Sequence, residues 1–402
     1  MQRPKSLAMP PDEGGGFCRD RRNFNIMIVA GEASGDLHGA YLMRAMKERQ
    51  DVPLSFYGIG GDKMAKEGMQ LMADAADMAV MGLTEVISRL WFIRKIMKRL
   101  KRSLENERPD LVILIDYPGF NLALAKEAQK KGIAVLYYIS PKVWAWRSGR
   151  IKTIKQVVNH IALIFPFEEE LYRKAGVKGT FVGHPLLDEI QIRDTPEEIK
   201  KEMNLSGAEQ IVALLPGSRK SEIQKLLPEM IKAAEILHAH FPGMRFTLPV
   251  AHTLSVSAIQ DSVASSAVPV QVVAGKTYEI LSVADAVIVA SGTAALETAL
   301  FAKPMVIVYK TSSFTYFLGK RLVKTKHIGL PNILAQKTIV PELIQKDFSG
   351  ERIAYEVTQI LKNQIVRDKM IQELTAIKKS LGEPGAARRT AALAWQMLQQ
   401  DK

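Results

Sequence analysis

Cysteine is all but missing from this chain of 402 residues: Cys18 stands alone, so no intramolecular disulfide can staple the fold. That fits a reducing compartment. Long apolar runs are missing too. None approaches the ~18 residues of a membrane-spanning helix, so no transmembrane helix is expected. The Cys/His spacings of metal sites, the Walker and G-x-G-x-x-G phosphate loops and the G-x-S-x-G elbow do not occur. No metal or other cofactor is therefore expected. Residues 1–24 carry Pro, Gly and Arg without an apolar h-region, and read as a disordered extension rather than a signal peptide. Negative charge is scarce: 42 acidic against 55 basic residues leave a net charge of +13. Such an excess points to an anionic partner, whether nucleic acid, a phosphorylated small molecule or an anionic membrane surface.

The chain exceeds one ordinary core, which predicts two domains. Short apolar runs alternate with amphipathic segments, the pattern of parallel sheets wrapped by helices. Strands are expected at Asn25–Ala30, Leu54–Gly58, Leu111–Ile115, Ala134–Tyr138 and Ile161–Phe165. Helices are expected at Leu37–Arg49, Leu83–Arg102, Leu122–Lys131 and Glu168–Ala175. A polar stretch, Asp194–Asn204, reads as a connection. The alternation then restarts with strands at Ile211–Leu215, Arg245–Val250, Val270–Val273, Ala286–Ala290 and Met305–Tyr309. The expected fold class is α/β: two Rossmann-like domains, residues 25–190 and 205–382, facing across a cleft. A last helix, 383–402, has no assigned docking.

Candidate site residues gather where strands end, the edge at which open α/β sheets bind ligands. "VAGEASGDLHG" places Glu32, Ser34, Gly35 and Asp36 after the first strand, either as a ligand loop or as a strand-to-helix turn with Asp36 as a cap. "LLPGSRKSEI" offers Gly217, Ser218 and Arg219; the guanidinium suits a bidentate phosphate contact, and a helix N-terminus follows. "VIVASGTAALE" repeats the design with Ser291, Gly292 and Thr293, and Glu297 one turn on is placed to accept from a ribose diol. Two anion-type loops in one half suggest a nucleoside diphosphate. "LIDYPGF" sets Asp116 after an apolar strand, where a carboxylate is costly without a partner or a task. His38 and His184 are isolated and read as structural.

The stretch Gly82–Arg102 is unusual. At about 100° per residue its apolar residues cover most of the circumference, with Lys95, Lys98, Arg99 and Arg102 on the remaining face. Leu83, Val86, Ile87, Leu90, Trp91 and Phe92 form the candidate contact surface, either with a core or with a membrane.

Together, "VAGEASGD", "AVMGLTEV", "YYISPKVWAWR", "FVGHPL", "LLPGSR", "ASGTAALE", "KRLVKT" and "LPNILA" resemble the lipid-A-disaccharide synthase family of inverting GT-B glycosyltransferases. The resemblance runs in order from Val29 to Ala335. It implies transfer of 2,3-diacylglucosamine from UDP-2,3-diacylglucosamine to 2,3-diacylglucosamine 1-phosphate, with UDP released and a β-1,6 disaccharide formed. It also implies that Asp116 is the base, and that Arg219, Glu297 and Asn332 contact nucleotide or substrate. Relatives often carry a second aspartate where Gly119 stands, and this departure strengthens the reading of Asp116. "VWAWR" is left between substrate lining and structure. Acylated substrates imply work at the cytoplasmic face of the inner membrane, with the apolar-basic helix docking on anionic lipid. A nucleic-acid adaptor would explain the charge but not Asp116 with two phosphate loops, so no nucleic-acid partner is expected. A homodimer is left open. The rival enzymes are another GT-B type, a UDP-N-acetylglucosamine epimerase or a peptidoglycan glycosyltransferase.

Overall fold

From Ile26 to Ala30 the first strand carries no polar side chain, and all five residues are fully buried. Strands covered on both faces read this way in parallel sheets. The computed structural model describes residues 23–48, 52–78, 86–144, 149–251, 253–312 and 326–400, and for 86–90 the backbone alone. The first sheet comprises β1 (Phe24–Ala30), β2 (Leu54–Gly60), β3 (Gln70–Asp74), β4 (Leu111–Ile115), β5 (Val135–Tyr138), β6 (His160–Leu163) and β7 (Gly179–Phe181). Its order is β3-β2-β1-β4-β5-β6-β7, parallel throughout. The second comprises β8 (Gln210–Leu215), β9 (Met244–Val250), β10 (Val270–Ala274), β11 (Ala286–Ala290), β12 (Met305–Tyr309) and β13 (Glu342–Ile344), in the order β10-β9-β8-β11-β12-β13.

Both sheets are therefore doubly wound. Strand order reverses between β1 and β4 in the first and between β8 and β11 in the second. Such switch points leave a crevice beyond the carboxyl ends of the strands, where ligands bind. The short edge strands β3, β7 and β13 were not legible in the sequence, because their residues are mostly half-buried and give no apolar run.

Alternation along β1 separates two cores. Ile26, Ile28 and Ala30 pack with Trp395 and Leu398, while Met27 and Val29 face Ile96, Leu100 and Leu104 of the helix Val86–Asn106. The second sheet has its own core, which takes in Ile199 and Met203. The stretch expected as a plain connection thus contains a helix, Pro196–Glu202. Its apolar face is too narrow to show a period, but Thr195 and Glu198 form a capping box that marks its start.

The chain end ties the halves together. Helix Gln364–Ser380 sends Met370 and Leu374 into the second core and Ile377 into the first. The final helix, Ala386–Gln400, returns to the first sheet, with Trp395 edge-on to Phe24 at 5.9 Å.

Candidate functional site at the two switch points

At the first switch point the backbone itself is strained. Asp116 and Tyr117 have φ of 45° and 46°, a region that costs roughly 1–3 kcal/mol for a non-glycine residue and persists only where the surroundings enforce it. The enforcement is visible. The Asn121 amide donates to the Asp116 carbonyl at 2.8 Å and to the Ile115 carbonyl at 3.2 Å. The Tyr137 hydroxyl donates to the same Asp116 oxygen at 2.5 Å, and Asp116 N–H reaches the Tyr138 carbonyl at 3.1 Å. The Tyr117 ring lies over Gly31 so closely that a Cβ there would meet it at 2.5 Å. Glycine is required at that approach.

This clamp sets the Asp116 carboxyl in a half-buried position. Burial first, and then the Glu32 carboxylate, push it above the usual aspartate range, while Lys142 and the Tyr117 backbone pull it back. A raised carboxylate suits proton abstraction better than an ordinary one. Sequence reasoning found Asp116 and Glu32 but missed Asn121, Tyr137 and Lys142. Their only signal was proximity to a strand end.

The start of the first helix requires a correction. The first helix is Ala33–Lys47, starting before the expected Leu37, so Ser34, Gly35 and Asp36 lie in its opening turn. Gly35 packs against Ala30, and Ser34 and Glu32 remain exposed. The Asp36 carboxylate is buried and accepts from Gly61 N–H at 2.7 Å, Met64 N–H at 3.0 Å and Lys63 N–H at 3.1 Å. In this structure it caps the next helix, Asp62–Lys66.

At the second switch point the two loops differ. Gly217 turns with φ of 112°, and Glu222 reaches back to the N–H groups of Ser218 and Arg219 at 3.0 and 3.2 Å. Those amides are occupied, so the charged contact this loop offers is the Arg219 guanidinium, which pairs with Glu222 at 3.1 Å while its side chain remains 78% exposed. The other loop is open. Helix Thr293–Leu300 has no side-chain cap and no acid in its first turn, and nothing lies within 4 Å of where a Gly292 Cβ would be. The Ser291 hydroxyl is engaged with the Ile328 carbonyl at 3.1 Å. Glu297 accepts from Tyr278 at 3.2 Å; burial raises its pKa and that bond lowers it.

Asn332 lies in an internal network. It is fully buried, donating to the Val340 carbonyl at 2.9 Å and Glu342 at 2.7 Å while accepting from Ile339 and Val340 N–H at 2.7 and 3.0 Å. Both ends of its amide are thus engaged in holding residues 339–342, the approach to β13, against the helix Leu330–Ala335.

The two halves meet where Leu296 and Leu300 of helix Thr293–Leu300 pack into the first core. His38 Nδ1 lies 3.2 Å from Glu189, and burial together with Glu297 pushes Glu189 up to about 7. Burial brings His38 down to about 4 and His184 to about 3. His184 is neutral and structural, accepting from Leu186 N–H at 3.2 Å. Leu83 lies outside the described residues, as do Ala145–Arg147 of "VWAWR" and all of "KRLVKT". Trp91 is 69% exposed, whereas Phe92 is half-buried against the first-half core and so is not a free surface residue.

Two doubly wound parallel sheets, each with a switch point at the carboxyl ends of its strands, give the chain the GT-B architecture of two Rossmann-like domains. The UDP-GlcNAc 2-epimerase from Neisseria meningitidis, solved bound to UDP-GlcNAc, is similar with a TM-score of 0.60 at 12% identity, over 94% of this chain and 99% of that one. The glycotransferase of kitacinnamycin is similar with a TM-score of 0.61 at 14% identity, over 94% and 100%. At these identities the likeness is one of fold. A family model, lipid-A-disaccharide synthetase, matches residues 26–394. A lipid-A-disaccharide synthase of Syntrophus aciditrophicus is 51% identical over 92% of this chain and 96% of its own length. The chain belongs to the lipid-A-disaccharide synthetase family.

Proposed function

We propose that the chain transfers 2,3-diacylglucosamine from UDP-2,3-diacylglucosamine to the 6-hydroxyl of 2,3-diacylglucosamine 1-phosphate. The observation that carries this is the placement of Asp116 at one switch point and of Arg219 and the Thr293 helix start at the other. In the step, the acceptor O6 attacks the donor C1 as Asp116 takes its proton. The C1–oxygen bond to the diphosphate breaks, and UDP leaves with the electron pair. Arg219 and the open amides at Thr293 stabilise that charge. Glu297 holds the ribose. One displacement inverts the anomeric centre and gives a β linkage.

The acyl chains of both substrates require access to a lipid surface. Trp91 stands outward on helix Val86–Asn106, and Arg94, Lys95, Lys98, Arg99 and Arg102 are exposed with no acid before Glu105. This supports shallow docking on the cytoplasmic face of an anionic membrane. Among the described residues no helix is long and apolar enough to cross a membrane. Mass spectrometry of products from the two acylated substrates tests the reaction: a disaccharide 1-phosphate with free UDP is expected, and its absence with folded protein overturns the reading.

A further inference from the structure

The segment that leaves β5 holds one exposed side chain in a clamped backbone. Ser140, Pro141 and Val143 are buried and Trp144 is half-buried, while Lys142 is exposed. Residues on either side are tied to one atom: the Ser140 hydroxyl donates to Glu168 Oε1 at 2.6 Å and the Trp144 indole N–H to the same oxygen at 3.2 Å. Glu168 is 1% exposed, and its other oxygen accepts from Phe165 N–H at 3.2 Å. The Trp144 ring is wedged edge-on against Phe165 and Phe167, with centroids 6.2 and 5.4 Å away. Lys142 is thus presented by a segment with little freedom.

Its position is beside the base. Strand β5 pairs with β4 so that Tyr138 sits opposite Ile115, and Asp116 N–H bonds the Tyr138 carbonyl, four residues before Lys142. The ammonium acts electrostatically on both Asp116 and His184. Arg150, opening helix Arg150–Val157, acts on Tyr137, whose hydroxyl rests on the Asp116 carbonyl. Neither cation forms a salt bridge among the described residues. Two cations close to the strand end that carries the base, neither ion-paired among the described residues, offer their charge to an anion that arrives with the hydroxyl.

We propose that Lys142 recognises the phosphomonoester of the acceptor, holding one end of the sugar while Asp116 engages the hydroxyl at the other, with Arg150 as the supporting cation. This rests on the transfer reading above. It makes the phosphate a specificity element, because an acceptor without it leaves Lys142 facing water.

The test compares wild type, Lys142→Met and Lys142→Arg on two acceptors: 2,3-diacylglucosamine 1-phosphate and the matching methyl glycoside without phosphate. The readout is the ratio of kcat/KM between them, in which any change in Asp116 basicity cancels. Lys142→Met should cut the preference for the phosphorylated acceptor by on the order of ten- to a hundred-fold, the scale of a hydrogen bond to a charged group, and Lys142→Arg should keep most of it. Calorimetry of the two acceptors without donor gives the same comparison independently of turnover, and circular dichroism checks folding. A wild type that binds the phosphorylated acceptor but makes no disaccharide sinks the transfer reading alone. An unchanged preference in Lys142→Met, by either measurement, overturns the phosphate proposal alone.

Discussion

The Tyr137 hydroxyl donates to the carbonyl oxygen of Asp116 at 2.5 Å, fastening β5 to the left-handed end of β4. The bond touches the backbone of the base and not its carboxyl, so Tyr137 positions Asp116. Tyr137→Phe should cost about 0.5–1.5 kcal/mol of stability, the net value of one such bond. It should also lower kcat by up to ~100-fold through misplacement of the reacting group. KM for the donor should hold. Steady-state kinetics beside a urea melt check both, and an unchanged kcat means that Asn121 alone suffices as the clamp.

Asp116 itself is tested by Asp116→Asn, which keeps the shape but cannot take a proton. The expected loss in kcat is roughly 10²–10⁴-fold, with UDP affinity little altered. Near-normal turnover by folded protein would move the role to another group.

The pH dependence follows from the neighbours. The base must be ionised, so kcat/KM rises as pH passes upward through the Asp116 pKa, which burial and Glu32 have raised. Removing the Glu32 charge makes ionisation easier, so Glu32→Gln should move the acid limb to lower pH. Lys142→Met removes a favourable charge and should move it to higher pH. Opposite displacements identify the limb with Asp116. A limb that stays fixed in both variants belongs to a different residue.

Arg219→Ala should weaken UDP binding by about 1.5–3 kcal/mol, because the amides beside it are already taken by Glu222 and the diphosphate loses a bidentate cation. Calorimetry measures it. Unaltered affinity would leave the diphosphate to the Thr293 helix start.

Asp36 shows where the sequence stopped being legible. The strand ends and their polar loops could be read, because apolar runs and Gly-Ser turns leave local marks. What the carboxylate does could not, since its three partners lie at Gly61, Lys63 and Met64, on a turn about which "GEASGD" says nothing. Asn332 was hidden in the same way by Val340 and Glu342. The strain at Asp116 was equally invisible, being imposed by Asn121 and Tyr137 through tertiary contact. Asp36→Ala separates the two roles. Leaving the helix cap and two further amides unsatisfied should cost about 2–4 kcal/mol, seen as a lower denaturation midpoint, with KM for both substrates preserved. A raised KM at unchanged stability would restore Asp36 to the substrate site.

The helix Val86–Asn106 carries the last prediction. Ile96, Leu100 and Leu104 are buried, and Phe92, Ile93 and Met97 pack half-buried against the same core, so these six residues of the apolar arc form an inward face. Trp91 is different: it is 69% exposed, with Lys95 Nζ 5.9 Å from its ring centroid. An indole exposed to that extent suits the apolar side of an interfacial helix. Trp91→Ser should therefore leave stability within about 0.5 kcal/mol yet weaken binding to anionic vesicles. Phe92→Ser should instead destabilise the fold, because it removes apolar area from the core. The basic residues act through a screened field with a reach of about 10 Å at 0.1 M salt, so wild-type vesicle binding should fall as salt rises. Vesicle sedimentation across a salt series, paired with thermal melts, separates these effects. Equal vesicle binding by wild type and Trp91→Ser would remove this helix from the membrane contact.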